Sequence, residues 1–210
     1  MSFNIVYAIM QDSDIIKELF LKDSIHITCI GGGPGSDFLG ILKYCLDNRL
    51  NPNLRCHIVD KDRTWVESWS DVDDRLGASL RLTINHYNFS VTDDSWKNFK
   101  KHLKSELFTL VYFMSEIYSM REKANNYFHS LFASSKPKSI FLFIDNNNDN
   151  FYDWFDQFAS NYNIKIKDKG EEKKNLPFEE EKLDLGEYFD KFGSPKLTAD
   201  IAYRIAVKEL

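Results

Sequence analysis

The chain has 210 residues, of which 43% are hydrophobic and 28% charged, and a net charge of −5. Those values exclude an intrinsically disordered chain, and the acidic balance argues against a protein-wide grip on nucleic acid while leaving room for a local basic groove. No apolar run reaches the roughly 18 residues of a membrane-crossing helix.

The opening "MSFNIVYAIMQDSD" lacks a basic segment and a small-residue cleavage site, so an intracellular protein, cytoplasmic or nuclear, is expected. Cys29, Cys45 and Cys56 lie in apolar segments without metal-site spacing. They read as reduced, buried thiols, and no metal is expected.

In chain order, a short helix over 13–21 precedes a strand at 25–30 and a helix at 37–47. Strands at 55–60, 80–89, 108–114 and 139–145 then alternate with helices at 63–76, 94–105, 119–134 and 150–161. Beyond these, 162–168 and 199–209 read as two closing strands around a charged insertion at about 169–198. Within the insertion, "KGEEKKNLPFEEEK" reads as a solvated loop and "LDLGEYFDKFG" as a short helix ended by Gly193.

Alternating strands and helices imply a parallel sheet, because a parallel connection needs a crossover, whereas the closing strands lack a full crossover helix and should pair antiparallel. The expected fold is α/β: a Rossmann-like three-layer sandwich with a mostly parallel seven-stranded sheet and an antiparallel edge strand. One domain is expected over 1–210, with βα cofactor-binding units in 13–161 and the closing strands in 162–210.

The most informative stretch is "HITCIGGGPGSDFLG". A strand ending at Ile30 runs into Gly31, Gly32, Gly33, Pro34 and Gly35, and a helix follows with Ser36 or Asp37 placed to cap it. Glycines let the backbone turn tightly and let a ligand approach without meeting Cβ atoms, while the helix points free N–H groups at that ligand. A dinucleotide fingerprint, G-x-G-x-x-G, puts its third glycine where this chain has Ser36. The alternate series Gly31, Gly33, Gly35 is complete.

A second-strand carboxylate that can take both ribose hydroxyls is supplied by Asp60 in "CHIVDKD". The turn and Asp60 together resemble the first two motifs of class I S-adenosylmethionine-dependent methyltransferases. The resemblance implies that the turn holds the methionine part of S-adenosylmethionine, that Asp60 holds its ribose, and that S-adenosylhomocysteine is the product. It also implies an adenine-side acid after the third strand, where "NFSVTDD" offers Asp93, with Asp94 second. A plain helix cap explains Asp93 equally well.

The same resemblance sets the end of "FTLVYFMSEIY" against the reactive methyl group, so Met114, Ser115, Glu116 and Tyr118 are the candidates there. Glu116 is the first choice as base or substrate orienter, with Ser115, and Asp145 after "SIFLFI", as further catalytic candidates. The family usually carries an acid two residues before the first motif glycine, and this chain has Cys29.

No motif identifies the methyl acceptor. RNA stands slightly ahead of protein or a small molecule. A catalytically inactive methyltransferase-like binding or sensor module is the alternative, and a flavin or nicotinamide oxidoreductase ranks third. Lys97, Lys100, Lys101 and Lys104 recur at helical spacing and fit an ordinary surface helix better than a phosphate contact. Trp65 and Trp69 read as packing residues, and His86 as a strand histidine.

Overall fold

A computed structural model describes residues 2–76, 80–175, 191 and 198–210, with 71–76 as backbone only. The elements are α1 (Ser2–Asp12), α2 (Asp14–Phe20), β1 (Ser24–Ile30), α3 (Ser36–Asp47), β2 (Asn53–Asp60), α4 (Trp65–Leu76) and β3 (Arg81–Asn88). They continue with β4 (Leu107–Val111), α5 (Phe113–Ile117), α6 (Arg121–Ser134), β5 (Ile140–Asn146), α7 (Asp149–Asn161), β6 (Ile164–Asn175) and β7 (Thr198–Lys208).

The seven strands form one sheet in the order β3-β2-β1-β4-β5-β7-β6. Strands β1 to β5 run parallel, and β7 runs antiparallel to both of its neighbours, β5 and β6. The expected closing pair therefore stands at the sheet edge with β6 outermost. The strand order reverses between β1 and β4, and open α/β sheets bind ligands at such a point, outside the carboxyl ends of the strands.

Each face of the sheet buries its own core. On one face Val6, Ile9, Ile16, Phe38, Ile41 and Trp69 pack over β1 and β2. On the other, Phe128, Phe132, Phe155 and Phe158 cover Phe108 and Phe141 of β4 and β5. Phe108 and Phe141 stack at 4.7 Å, and Phe132 and Phe158 at 5.4 Å. At about 1.5–3 kcal/mol for each fully buried side chain, these phenylalanines fix the depth at which the strand ends present the site.

Four expectations need correction. Helix α1 was not expected, although Ile5, Val6, Ile9 and Met10 form its buried stripe. The helix expected at 94–105 is two 3-10 turns, Ser95–Asn98 and Lys100–Lys104, separated where Phe99 adopts φ −125°, ψ 61°. Strand β4 stops at Val111 because Tyr112 turns into the left-handed region at φ 56°, and Phe113–Ile117 is helical. The start of the charged insertion continues β6 to Asn175 instead of looping out. The helix expected at 183–193 lies outside the described residues, Lys191 apart.

Candidate functional site

The glycine turn leaves β1 with φ of +65° at Gly31, +45° at Gly33 and +79° at Gly35, a region that other residues enter only with strain. The N–H groups of Gly31 and Gly32 donate to the Val59 carbonyl at 2.8 and 3.1 Å, which ties the turn to the end of β2. A Cβ on Gly31 would lie 2.0 Å from the Phe113 ring, and one on Gly35 would lie 1.8 Å from the Trp69 ring. At Gly33 the nearest atoms to such a carbon are 3.7 Å or more away. Gly31 and Gly35 thus make room for the protein itself, whereas Gly33 leaves space open above the turn.

Asp60 ends β2 beside that space. Its Oδ2 accepts the Gly33 N–H at 2.9 Å and its Oδ1 accepts the Asp62 N–H at 2.8 Å. A carboxylate has about four acceptor positions. Two remain for ligand hydroxyls after the turn has fixed the orientation of the group. Trp65 of α4 reaches the same place, its Nε1 lying 3.8 Å from where a Gly33 Cβ would stand.

Beside the turn opens a cavity of about 160 Å³ lined by Gly31, Asp60, Lys61, Phe89, Val91 and Glu116, among others. Its walls come from the ends of β1, β2 and β3 and from α5. Ser90 and Thr92 line it too, and Asp93 does not. The Asp93 carboxylate accepts the Ser95 N–H at 2.8 Å and the Ser95 hydroxyl, bonds that hold it below its ordinary pKa and tie it to the start of the 3-10 turn. Asp94 pairs with Lys97 at 2.7 Å.

Short helix α5 places the fourth-strand candidates unequally. Met114 is fully buried among the core aromatics and lines no part of the cavity. Ser115 donates its N–H to Asp145 Oδ2 at 2.9 Å and its hydroxyl to the Tyr112 carbonyl at 3.1 Å. Asp145 is wholly buried and also accepts the Asn146 N–H at 2.8 Å. Burial raises its pKa against the opposing pull of those bonds.

Asp145 is therefore a remote cap on α5: it supplies the acceptor that Tyr112, the residue before the helix, does not. By holding α5 it presents Glu116 to the cavity. The Glu116 pKa is raised by loss of solvent and then by the charges of Asp60 and Asp145, against the pull of Lys61. A carboxyl of that kind is suited to hold a proton longer than a free glutamate does.

Position 29 holds a thiol, yet a carboxylate reaches the same neighbourhood from another element. Asp37, in the first turn of α3, is 3% exposed and accepts bonds from the Thr109 hydroxyl and from the Phe38 N–H at 2.9 Å, and its charge acts on the Cys29 thiol. No cation pairs with it among the described residues. Burial raises its pKa, and burial also keeps Cys29 a neutral thiol, with Sγ 3.7 Å from that of Cys56. Sequence reasoning gave Asp37 only a capping role, because nothing in the spacing brings α3 and β4 together at Cys29.

The strand order with an inserted antiparallel β7 separates this fold from the dinucleotide-binding order 3-2-1-4-5-6, and the fold is shared with solved S-adenosylmethionine-dependent methyltransferases. A proposed RNA methyltransferase from Pyrococcus horikoshii aligns at TM-score 0.62 and 11% identity, over 99% of this chain and 85% of that one. An S-adenosylmethionine-dependent methyltransferase from Methanosarcina mazei aligns at 0.58 and 11%, over 94% and 98%.

A precorrin-6y C5,15-methyltransferase from Geobacter metallireducens aligns at 0.55 and 10%, over 98% and 88%. The first of these three is described as acting on RNA and the third on a precorrin, and identities this low carry the fold alone. No protein-family model and no curated protein sequence matches the chain. Among the described residues no helix is long and apolar enough to cross a membrane, and no group of His, Cys, Asp or Glu could hold a metal ion.

Proposed function

We propose that the chain is an S-adenosylmethionine-dependent methyltransferase, with RNA ahead of protein or a small molecule as acceptor. The observation that carries the cofactor reading is the Asp60 carboxylate, held by the Gly33 N–H at 2.9 Å on the rim of a cavity at the sheet's reversal point. When bound, the cofactor supplies a methyl group already activated on a sulfonium, so the protein's task is alignment and exclusion of water.

The residues fit that task. The ribose hydroxyls would meet the two free acceptor positions of Asp60, and the base would lie between Val59, Phe89 and Val91, against apolar surface. The amino-acid end would approach over Gly33, where no Cβ stands in the way. Asp37 would supply negative charge near the turn for the ammonium group, a charge that Cys29 does not carry. Glu116 would orient the acceptor or take up the proton it loses, and Asp145 would keep α5, and so Glu116, in place. Ser115 would act through the same helix.

An RNA acceptor is supported by the description of the Pyrococcus neighbour and by the net positive charge of residues 95–139. Calorimetric titration with S-adenosylmethionine and S-adenosylhomocysteine tests the cofactor reading. Binding that Asp60→Ala reduces by about tenfold or more is expected, since a lost hydrogen bond to a charged group costs about 1.5–3 kcal/mol. Undiminished binding in that variant would overturn the site.

A further inference from the structure

The two 3-10 turns replace an ordinary surface helix with a different display of charge. At three residues per turn, side chains at i and i+3 eclipse. Lys101 and Lys104 therefore stand in one row, and both, like Lys100, are exposed. Lys104 Nζ bonds the Ser134 carbonyl at 2.8 Å, which joins this row to the exposed Lys136 and Lys138 just beyond α6. Neither Lys100 nor Lys101 forms an ion pair among the described residues.

The surrounding sequence is equally one-sided. Residues 95–139 hold eight Lys and Arg against three Glu, a net of +5 in a chain whose total is −5, which leaves −10 for the remainder. A flat aromatic surface completes the strip. Phe99, between the two turns, is 38% exposed. Its ring stacks at 5.8 Å and 17° on Phe89, which lines the candidate cofactor cavity. The buried Phe89 ring thus links the cavity wall to the exposed Phe99, which lies next in sequence to the first of the lysines.

We propose that Phe99, Lys100, Lys101, Lys104, Lys136 and Lys138 form a docking surface for single-stranded nucleic acid, with the lysines on the phosphates and Phe99 beneath a base. The surface rests on the reading of RNA as acceptor and is independent of the cofactor assignment. A single strand fits because only an unstacked base can lie on an exposed ring, and because a base within a duplex cannot enter a cavity below the surface.

The test is fluorescence anisotropy with a short labelled single-stranded RNA across a salt series, on the wild type, Lys100→Ala/Lys101→Ala and Phe99→Ala. Loss of two phosphate contacts should weaken binding and flatten the log–log salt slope by about 1.4, at about 0.7 per contact on a single strand. Phe99→Ala should cost about 5- to 150-fold in affinity with the slope unchanged. The far-ultraviolet circular dichroism of each variant should match the wild type and so report an intact fold.

Equal RNA affinity and slope in the double-lysine variant would overturn the surface while leaving an RNA acceptor standing. Absence of RNA binding by the wild type would overturn both. Binding of an acidic peptide or of anionic vesicles as tight as that of RNA, lost in the same variants, would also overturn the proposal.

Discussion

Alanine substitution at two glycines of one turn should separate a residue that serves the fold from one that serves the ligand. At Gly35 the new carbon meets the Trp69 ring at 1.8 Å and the backbone sits at φ +79°. Left-handed backbone costs about 1–2 kcal/mol, and forcing atoms into a packed core costs about 1–3 kcal/mol. Gly35→Ala should therefore lose about 2–5 kcal/mol of stability.

At Gly33 the φ is +45° but the nearest atoms are 3.7 Å or more away, so only the backbone cost of about 1–2 kcal/mol applies. The new carbon then occupies the space through which the cofactor would approach under the proposed function. Urea unfolding of both variants, with calorimetric titration by S-adenosylmethionine, checks the contrast. Gly33→Ala should keep most of its stability and lose binding. Equal destabilisation of the two variants, or full binding by Gly33→Ala, would refute the assignment of Gly33 to the ligand.

Three further outcomes are expected. Asp145→Ala should cost about 2 kcal/mol or more by leaving the Ser115 and Asn146 N–H groups without their acceptor, measured by urea unfolding; an unchanged midpoint would remove its role as cap of α5. Asp37→Asn should weaken S-adenosylmethionine by about tenfold, a difference of about 1.4 kcal/mol, with a smaller effect on 5′-methylthioadenosine, which lacks the charged amino-acid end. Equal losses for both ligands would make Asp37 a residue of the fold only.

Burial lowers the pKa values of His57 and His102 from 6.5 to about 4, so both rings are neutral in the native protein. The unfolded chain binds more protons across that interval, so stability is complete above about pH 6.5 and is lost as pH falls toward 4, by at most about 1.4 kcal/mol per pH unit for each ring. Because His57 Nδ1 has no hydrogen-bond partner, His57→Phe should flatten the pH profile without breaking a bond. An unaltered profile would exclude His57 as a source of the acid sensitivity.

The parts of the fold legible in the sequence were those written as local contrast. Short apolar runs such as "IHITCI" and "IFLFI" are buried strands, and the glycine series followed by an amphipathic helix marks the turn, since only glycine takes those φ values without strain. Asp60 stands at the end of β2, where the apolar run before it placed it.

The misread segments depend on contacts distant in sequence. Helix α1 has no acid in its first turn and no base in its last, and its stripe is stabilised by packing on α3, where a Cβ on Gly40 would lie 2.6 Å from the Phe3 carbonyl. The periodic lysines around 97–104 suggested an α-helix, yet the segment breaks at Phe99, and the His102 ring bonds to the Phe99 carbonyl and to Tyr127. The roles of Asp37 and Asp145 arise from Thr109 on β4 and Ser115 on α5, and one chain's residue order does not encode such pairings.

The most direct test of the central claim is calorimetric titration of the wild-type chain and Asp60→Ala, side by side, with S-adenosylmethionine, S-adenosylhomocysteine, NADH and FAD. Saturable binding of the two adenosyl sulfur compounds alone, weakened by the substitution, is the predicted result. Binding of none of the four, or of a dinucleotide in preference, would contradict it.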